Sequence, residues 1–283
     1  ESLVTVSEAK NNASRSQSRK GGIKIKARPS LKMQQRMKAL AWRGRYATSD
    51  YYPVEVVGKR FQLRQTVCGE RKGLGTGSTV WDGGQILLKF IEHKYGKGGL
   101  KGKSVVDLGS GTGAVGLVAA VLGADRVTLT DQKQVLHLAR ENALSCGRAV
   151  EDPDLIKRVN VAEYSWGDDA HHLGAPFDVV LAADCICPKL YPMAPLVDAL
   201  KRVSSLKSTI LLCYDHRCNC EVDPRVKFRE LCEEAGFSFR VVPRSEWHPD
   251  FVLEDCYMWE LKKLSDSRDG KSDGGVNTLD KTT

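Results

Sequence analysis

Between positions 104 and 261, short runs rich in Val, Ile, Leu and Ala alternate with longer stretches whose apolar residues recur at helical spacing. Apolar runs without polar alternation read as strands covered on both faces, and a 3.6-residue period reads as amphipathic helix. Strands are predicted at 104–108, 126–130, 159–164, 177–183, 209–214, 237–242 and 256–261, with helices at 114–122, 133–145, 193–204 and 224–235. Seven strands interleaved with helices imply an α/β fold built on a doubly wound sheet. Upstream, 81–94 carries Ile86, Leu87, Phe90 and Ile91 on one helical face. Residues 53–57 and 60–67 show the partial alternation of a β-hairpin turning at Gly58-Lys59, and 31–46 reads as a short basic helix.

The first strand of the alternating region ends in Asp107-Leu108-Gly109-Ser110-Gly111-Thr112-Gly113. Glycines at this spacing let backbone N–H groups come close to a ligand, because no Cβ intervenes and unusual φ/ψ values are tolerated. Gly109-x-Gly111-x-x-Ala114, with Asp131 about 20 residues on, also fits a relaxed dinucleotide fingerprint. Asp107 separates the two readings. A carboxylate just before the first glycine repels a pyrophosphate and attracts the ammonium of an amino-acid moiety. Asp131 closes the next apolar run, where it can accept both ribose hydroxyls. Two acids bracketing a glycine-rich turn suit S-adenosyl-L-methionine better than NAD.

On these residues the chain resembles the class I, seven-β-strand methyltransferases. Thr79-Val80-Trp81-Asp82, Ser165-Trp166-Gly167 and Ala182-Ala183-Asp184-Cys185 further resemble the lysine methyltransferase branch called methyltransferase family 16. The resemblance spans roughly 51–264. It implies a Rossmann-like methyltransferase sheet with an N-terminal hairpin addition and a cofactor site made of Asp107, Gly109, Gly111, Gly113, Asp131 and Ala183. It also implies transfer of methyl from S-adenosylmethionine to a lysine of a protein. The runs 107–131 and Cys213-Tyr214-Asp215-His216-Arg217 are similar to members acting on an AAA ATPase, so an AAA ATPase or Hsp70-like chaperone is the expected partner, with the enzyme acting as a monomer.

In an open α/β sheet, ligands lie beyond the carboxyl ends of the strands, which places 107–113, 131, 183–187 and 214–217 together. Trp166, after the third strand, is read as an adenine contact, with core packing as the alternative. Trp81 resembles the family's tryptophan at the methionine end of the cofactor, again with core packing as its rival. Asp184 is the catalytic candidate, because a carboxylate at a strand tip can orient an incoming ammonium. The family motif is Asp-x-x-Tyr, but Cys187 stands in the fourth place, followed by Pro188 and Tyr191. Cys187, Tyr214 and Arg217 are candidate substrate contacts, with burial of Tyr214 the competing reading. His248 reads as a surface residue.

The net charge of +8 is concentrated before Tyr46, where Lys and Arg from Lys10 to Arg45 face only Glu1 and Glu8. Residues 1–45 therefore read as a largely disordered basic tail and 265–283 as a second one, flanking a methyltransferase domain at 46–264. The basic tail keeps nucleic-acid methylation open as an alternative. Against it, no Asn-Pro-Pro-Tyr or Asp-Pro-Pro-Tyr follows the fourth strand. A non-catalytic cofactor-binding scaffold is the third reading. Nine scattered cysteines suggest reduced thiols, and Cys185/Cys187 and Cys218/Cys220 lack the spacing of structural zinc knuckles, so no metal is expected. A cytoplasmic location is expected, with a nuclear address in the tail as a variant. No apolar run is long enough to span a membrane.

Overall fold

The computed structural model describes residues 30–39, 41–67, 75–217 and 221–264. The expected C-terminal tail at 265–283, residues 1–29 of the expected basic tail, and Cys68, Cys218 and Cys220 lie outside the described residues. In chain order the elements are α1 (Leu31–Ala39), β1 (Tyr51–Val56), β2 (Lys59–Arg64), α2 (Asp82–Tyr95), β3 (Ser104–Leu108), α3 (Ala114–Val121), β4 (Arg126–Asp131) and α4 (Leu136–Ala149). They continue with α5 (Leu155–Arg158), β5 (Val159–Glu163), β6 (Phe177–Ala183), α6 (Met193–Val203), β7 (Ser204–Asp215), α7 (Pro224–Glu234), β8 (Phe237–Val241) and β9 (Cys256–Lys263).

Seven strands form one sheet in the order β5-β4-β3-β6-β7-β9-β8, with β9 antiparallel to both neighbours and the other pairings parallel. Successive side chains on a strand point to opposite faces. Val105, Val179, Leu181, Leu211 and Cys213 accordingly join the core shared with α2, α3 and α4. Val106, Val180, Ala182, Ile210, Leu212 and Tyr214 join the core under α6 and α7. The apolar stripe of α2, from Ile86 to Ile91, is fully buried, each such side chain contributing about 1.5–3 kcal/mol. Strand order reverses between β3 and β6, the switch point at which open sheets receive ligands.

The hairpin of β1 and β2 lies outside the main sheet, and its alternation buries Val54, Val56, Phe61 and Leu63. Its turn is Val57-Gly58, one residue earlier than the sequence pattern indicated, with both residues at positive φ as a two-residue hairpin turn requires. Val57 tolerates this with its N–H donated to Glu92 Oε1 at 2.7 Å. Buried Asn142 of α4 ties the hairpin to the glycine turn: it accepts from Arg64 N and donates to the carbonyls of Arg64 and Thr112. Gln65, also buried, accepts from Val80 N and donates to the carbonyls of Tyr46 and Ser49.

Three other expectations are revised. β7 begins at Ser204 rather than 209, because Ser204 pairs with Phe177 and Ser208 donates to the Phe177 carbonyl, so hydroxyls do the work that apolar patterning signals elsewhere. α4 starts at Leu136, since 132–135 forms a turn instead. The stretch 30–45 is not a tail: Trp42, 9% exposed, stacks on Phe251 and donates Nε1–H to the Asp250 carbonyl, while Arg43 pairs with Asp82 and Asp255. No helix among the described residues is long and apolar enough to cross a membrane.

Candidate active site

A cavity of about 700 Å³ opens at the carboxyl ends of β3, β4, β6 and β7. Its floor is the glycine turn. Gly111 adopts φ +53° and presses so close to the next segment that a Cβ there would lie 2.4 Å from the Gly77 carbonyl. Gly111 and Gly109 line the cavity, whereas Gly113 does not. At φ +82° Gly113 turns the chain into α3, and a Cβ would meet Leu129 Cδ1 at 2.9 Å, so its role is packing rather than ligand contact.

Three carboxylates surround this floor. Asp107 is 1% exposed, and its Oδ2 accepts from Gly116 N in α3 at 2.8 Å, an approach that only a glycine at 116 permits beside Leu129. Burial pushes the Asp107 carboxyl up to about 7, the Gly116 N–H opposing the rise and the Asp131 charge adding to it. Asp131 accepts from Gly111 N at 2.8 Å and from Gln132 N at 2.7 Å, and burial raises its carboxyl despite both bonds. Asp184 occupies the left-handed region at φ +55°. Its carboxylate accepts from Gly83 N, Asp215 N and Arg217 Nη2. Burial pushes Asp184 up to about 6, with Arg217 opposing the rise.

Trp81, Trp166, Ala183, Asp184, Cys187 and Arg217 all line the cavity, as expected from sequence. Trp166 meets Tyr191 edge to face at 6.0 Å between ring centres. Trp81 donates Nε1–H to the Thr76 carbonyl and carries the Arg217 guanidinium over its ring at 4.5 Å. Arg217 Nε also reaches Asp215 Oδ2 at 2.6 Å. Tyr214 is the exception among the candidates. It is 1% exposed, faces the α6 and α7 core, stacks on Trp259 and bonds His216 Nδ1 through its hydroxyl, so it is a packing residue and not a substrate contact.

The position the family gives to tyrosine is resolved locally. The carbonyl of Cys187 accepts from Leu190 N and Tyr191 N, closing a turn that brings Tyr191 to the cavity wall, with its hydroxyl on Thr76 Oγ1. Thr76, Gly77, Gln132, Gln134 and Val135, which belong to no motif in the sequence, complete the rim. Their signal in the sequence is weak: 75–79 is a turn tied to Thr66 through Ser78 and Thr79, and the apolar pattern extends the following helix back to 133. Cys185, its thiol directed to the Leu108 carbonyl, is buried and raised well above the ordinary thiol range by that burial. Cys146, Cys185, Cys213, Cys232 and Cys256 form no disulfide among the described residues.

The sheet order, the glycine turn after β3 and the acids at the ends of β3, β4 and β6 define a Rossmann-like fold of the methyltransferase type. The chain belongs to the lysine methyltransferase family, whose profile matches residues 63–230. It is 38% identical over 147 residues to protein N-lysine methyltransferase METTL21A of Danio rerio, which covers 50% of this chain and 62% of that one. To EEF1A lysine methyltransferase 3 of Mus musculus it is 35% identical over 174 residues, 61% of this chain and 69% of the relative. The chain thus spans about three fifths to two thirds of these relatives' length. Among solved structures, it is similar in fold to a SAM-dependent methyltransferase-like protein of Streptococcus mutans, with TM-score 0.51, 18% identity, and 75% of this chain and 55% of that one covered.

Proposed function

We propose that this chain is an S-adenosylmethionine-dependent protein-lysine N-methyltransferase. The observation that carries the reading is the set of three acids, Asp107 fully buried and Asp131 and Asp184 partly so, converging on one cavity at the strand ends. Burial raises all three carboxyls, so each ionises at a cost that a cationic ligand offsets. S-adenosylmethionine carries an ammonium and a sulfonium, and a cavity of about 700 Å³ is in the range that encloses a ligand of its size. Membership of the lysine methyltransferase family supports the same conclusion.

In this reading Asp107 accepts the ammonium and Asp131 the ribose hydroxyls. Gly109 and Gly111 bring backbone close to the ligand, Trp166 packs beside the adenine, and Trp81 and Ala183 bound the methionine end. When bound, S-adenosylmethionine supplies an electrophilic methyl group. The residues around it supply alignment and exclude water. Asp184 orients the incoming lysine, Cys187 and Arg217 border its approach, and Tyr191 supplies the phenol that the family motif places elsewhere. Methyl transfer requires the neutral amine, so the proton must leave the lysine before attack.

The substrate is a protein lysine, and among proteins an ATPase of the AAA class or an Hsp70-like chaperone is our proposal, the enzyme acting as a cytoplasmic monomer. Incubating the protein with a cell lysate and methyl-labelled S-adenosylmethionine tests the reading. Label should be released by protease and resist nuclease. Label released by nuclease, or tight binding of NAD in place of S-adenosylmethionine, would overturn it.

A further inference from the structure

A second, smaller cavity of about 240 Å³ lies behind the first, and the two share one wall made by Thr79, Val80, Trp81, Asp215 and Arg217. Together with Asp184 of the first cavity, the wall forms a cage for one positive charge. Trp81 offers an aromatic face, Asp184 and Asp215 offer carboxylates, and the Arg217 guanidinium sits among them, 4.5 Å over the ring, 2.6 Å from Asp215 and 3.3 Å from Asp184. Asp215 is 5% exposed, and its second oxygen, Oδ1, is buried without a hydrogen-bond partner. The cage therefore holds one more acceptor than its occupant satisfies. Arg217 is itself 39% exposed at the side chain, so a buried acceptor set is filled by a residue that reaches it from the surface.

We propose that the Trp81–Asp184–Asp215 cage is a binding site for the cationic side chain of a substrate, and that Arg217 is its internal occupant, displaced when a substrate lysine arrives. The inference rests on the lysine-transfer reading only for the identity of the natural ligand. The chemistry of the cage, an aromatic face with two carboxylates, selects alkylammonium and alkylguanidinium groups whatever reaction follows. Arg217 then holds the site closed and keeps Asp184 and Asp215 compensated until exchange, since an unpaired buried carboxylate is strongly unfavourable. A substrate that brings its own cation replaces one charge by another, and the net electrostatics of the wall are preserved.

The test is to empty the cage. Arg217→Ala is titrated with n-butylammonium and ethylguanidinium by calorimetry and by thermal shift, with butan-1-ol as the uncharged control. The variant should bind both cations about 10-fold or more tightly than the alcohol, and the parent protein should show no such preference. Replacing Trp81 by Phe in the Arg217→Ala background should weaken cation binding several-fold. Should Arg217→Ala refold poorly, the yield of refolding reads the same site, and n-butylammonium must raise it where butan-1-ol does not. Equal response to cation and alcohol, in binding or in refolding yield, overturns the cage. Kinetics supply a separate readout: with the protein substrate identified, Arg217→Ala should lower KM, as removal of an internal competitor does, whereas a raised KM marks Arg217 as a substrate contact and overturns the displacement. Cation binding without any lysine methylation would refute the functional reading while leaving the cage intact.

Discussion

Replacing Asp107 by Asn has opposite consequences for the ligand-free protein and for the complex. In the unfolded chain this carboxyl titrates at its ordinary value of 3.8, and burial lifts it to about 7 in the folded protein. A carboxyl raised on folding contributes stability that is fully present below its unfolded pKa and is lost as pH rises through the folded one. At pH 8 the ionised group therefore costs on the order of 4 kcal/mol, an upper bound because the site relaxes. Asn retains an acceptor for Gly116 N and removes the charge, but its amide N–H groups need partners, a loss of about 1–3 kcal/mol. Asp107→Asn should consequently raise the melting temperature of the ligand-free protein by several degrees at pH 8 and by little or nothing at pH 5. S-adenosylmethionine affinity should fall about 10- to 100-fold at pH 8, because a charged acceptor for the ammonium is lost. Scanning calorimetry at the two pH values and titration calorimetry at pH 8 measure both effects. A melting shift independent of pH, or an unchanged affinity, would refute the assignment of Asp107 as a buried charge matched to a cationic ligand.

Asp131→Ala should weaken S-adenosylmethionine binding by about 1–3 kcal/mol in titration calorimetry, since it removes the ribose acceptor and frees the N–H groups of Gly111 and Gln132. In the parent protein, S-adenosylmethionine affinity should climb between pH 6 and pH 8 as Asp107, raised to about 7, loses its proton; a flat profile contradicts this. Tyr191→Phe should lower turnover, whereas Tyr214→Phe, which loses the bond to His216, should lower the melting temperature and leave S-adenosylmethionine affinity unchanged. Trp42→Ala should cost about 3–5 kcal/mol in urea unfolding, because the indole is packed on Phe251 and bonded to Asp250; a neutral result would return residues 30–45 to the tail.

Much of this site was legible because strand alternation and strand ends are written in the sequence. The acids Asp107, Asp131 and Asp184 each close an apolar run, and all three lie at the carboxyl ends of neighbouring strands. The period of two, applied to β7, also separates Tyr214 from Asp215: Leu211 and Cys213 belong to one core, Ile210 and Leu212 to the other, and Tyr214 follows the even set. Tyr191 is different in kind. Its position depends on a turn closed by the Cys187 carbonyl and on a partner, Thr76, 115 residues away in sequence, and neither carries a periodic signal. Trp42 was hidden by charge: the basic residues around it read as solvated chain, although Arg36, Lys38 and Arg43 meet acids at Glu254, Asp250, Asp82 and Asp255.

Delivery of a methyl group from the cavity to a protein lysine can be measured directly. The direct measurement is peptide mass spectrometry of the protein that becomes labelled when this chain is added to lysate with isotopically labelled S-adenosylmethionine, with Asp184→Asn run in parallel. Label should appear on a lysine side-chain nitrogen of a single dominant protein and be strongly reduced with Asp184→Asn, although that variant still binds S-adenosylmethionine. Label on arginine or on a nucleobase, or lysine labelling indifferent to Asp184→Asn, would contradict it.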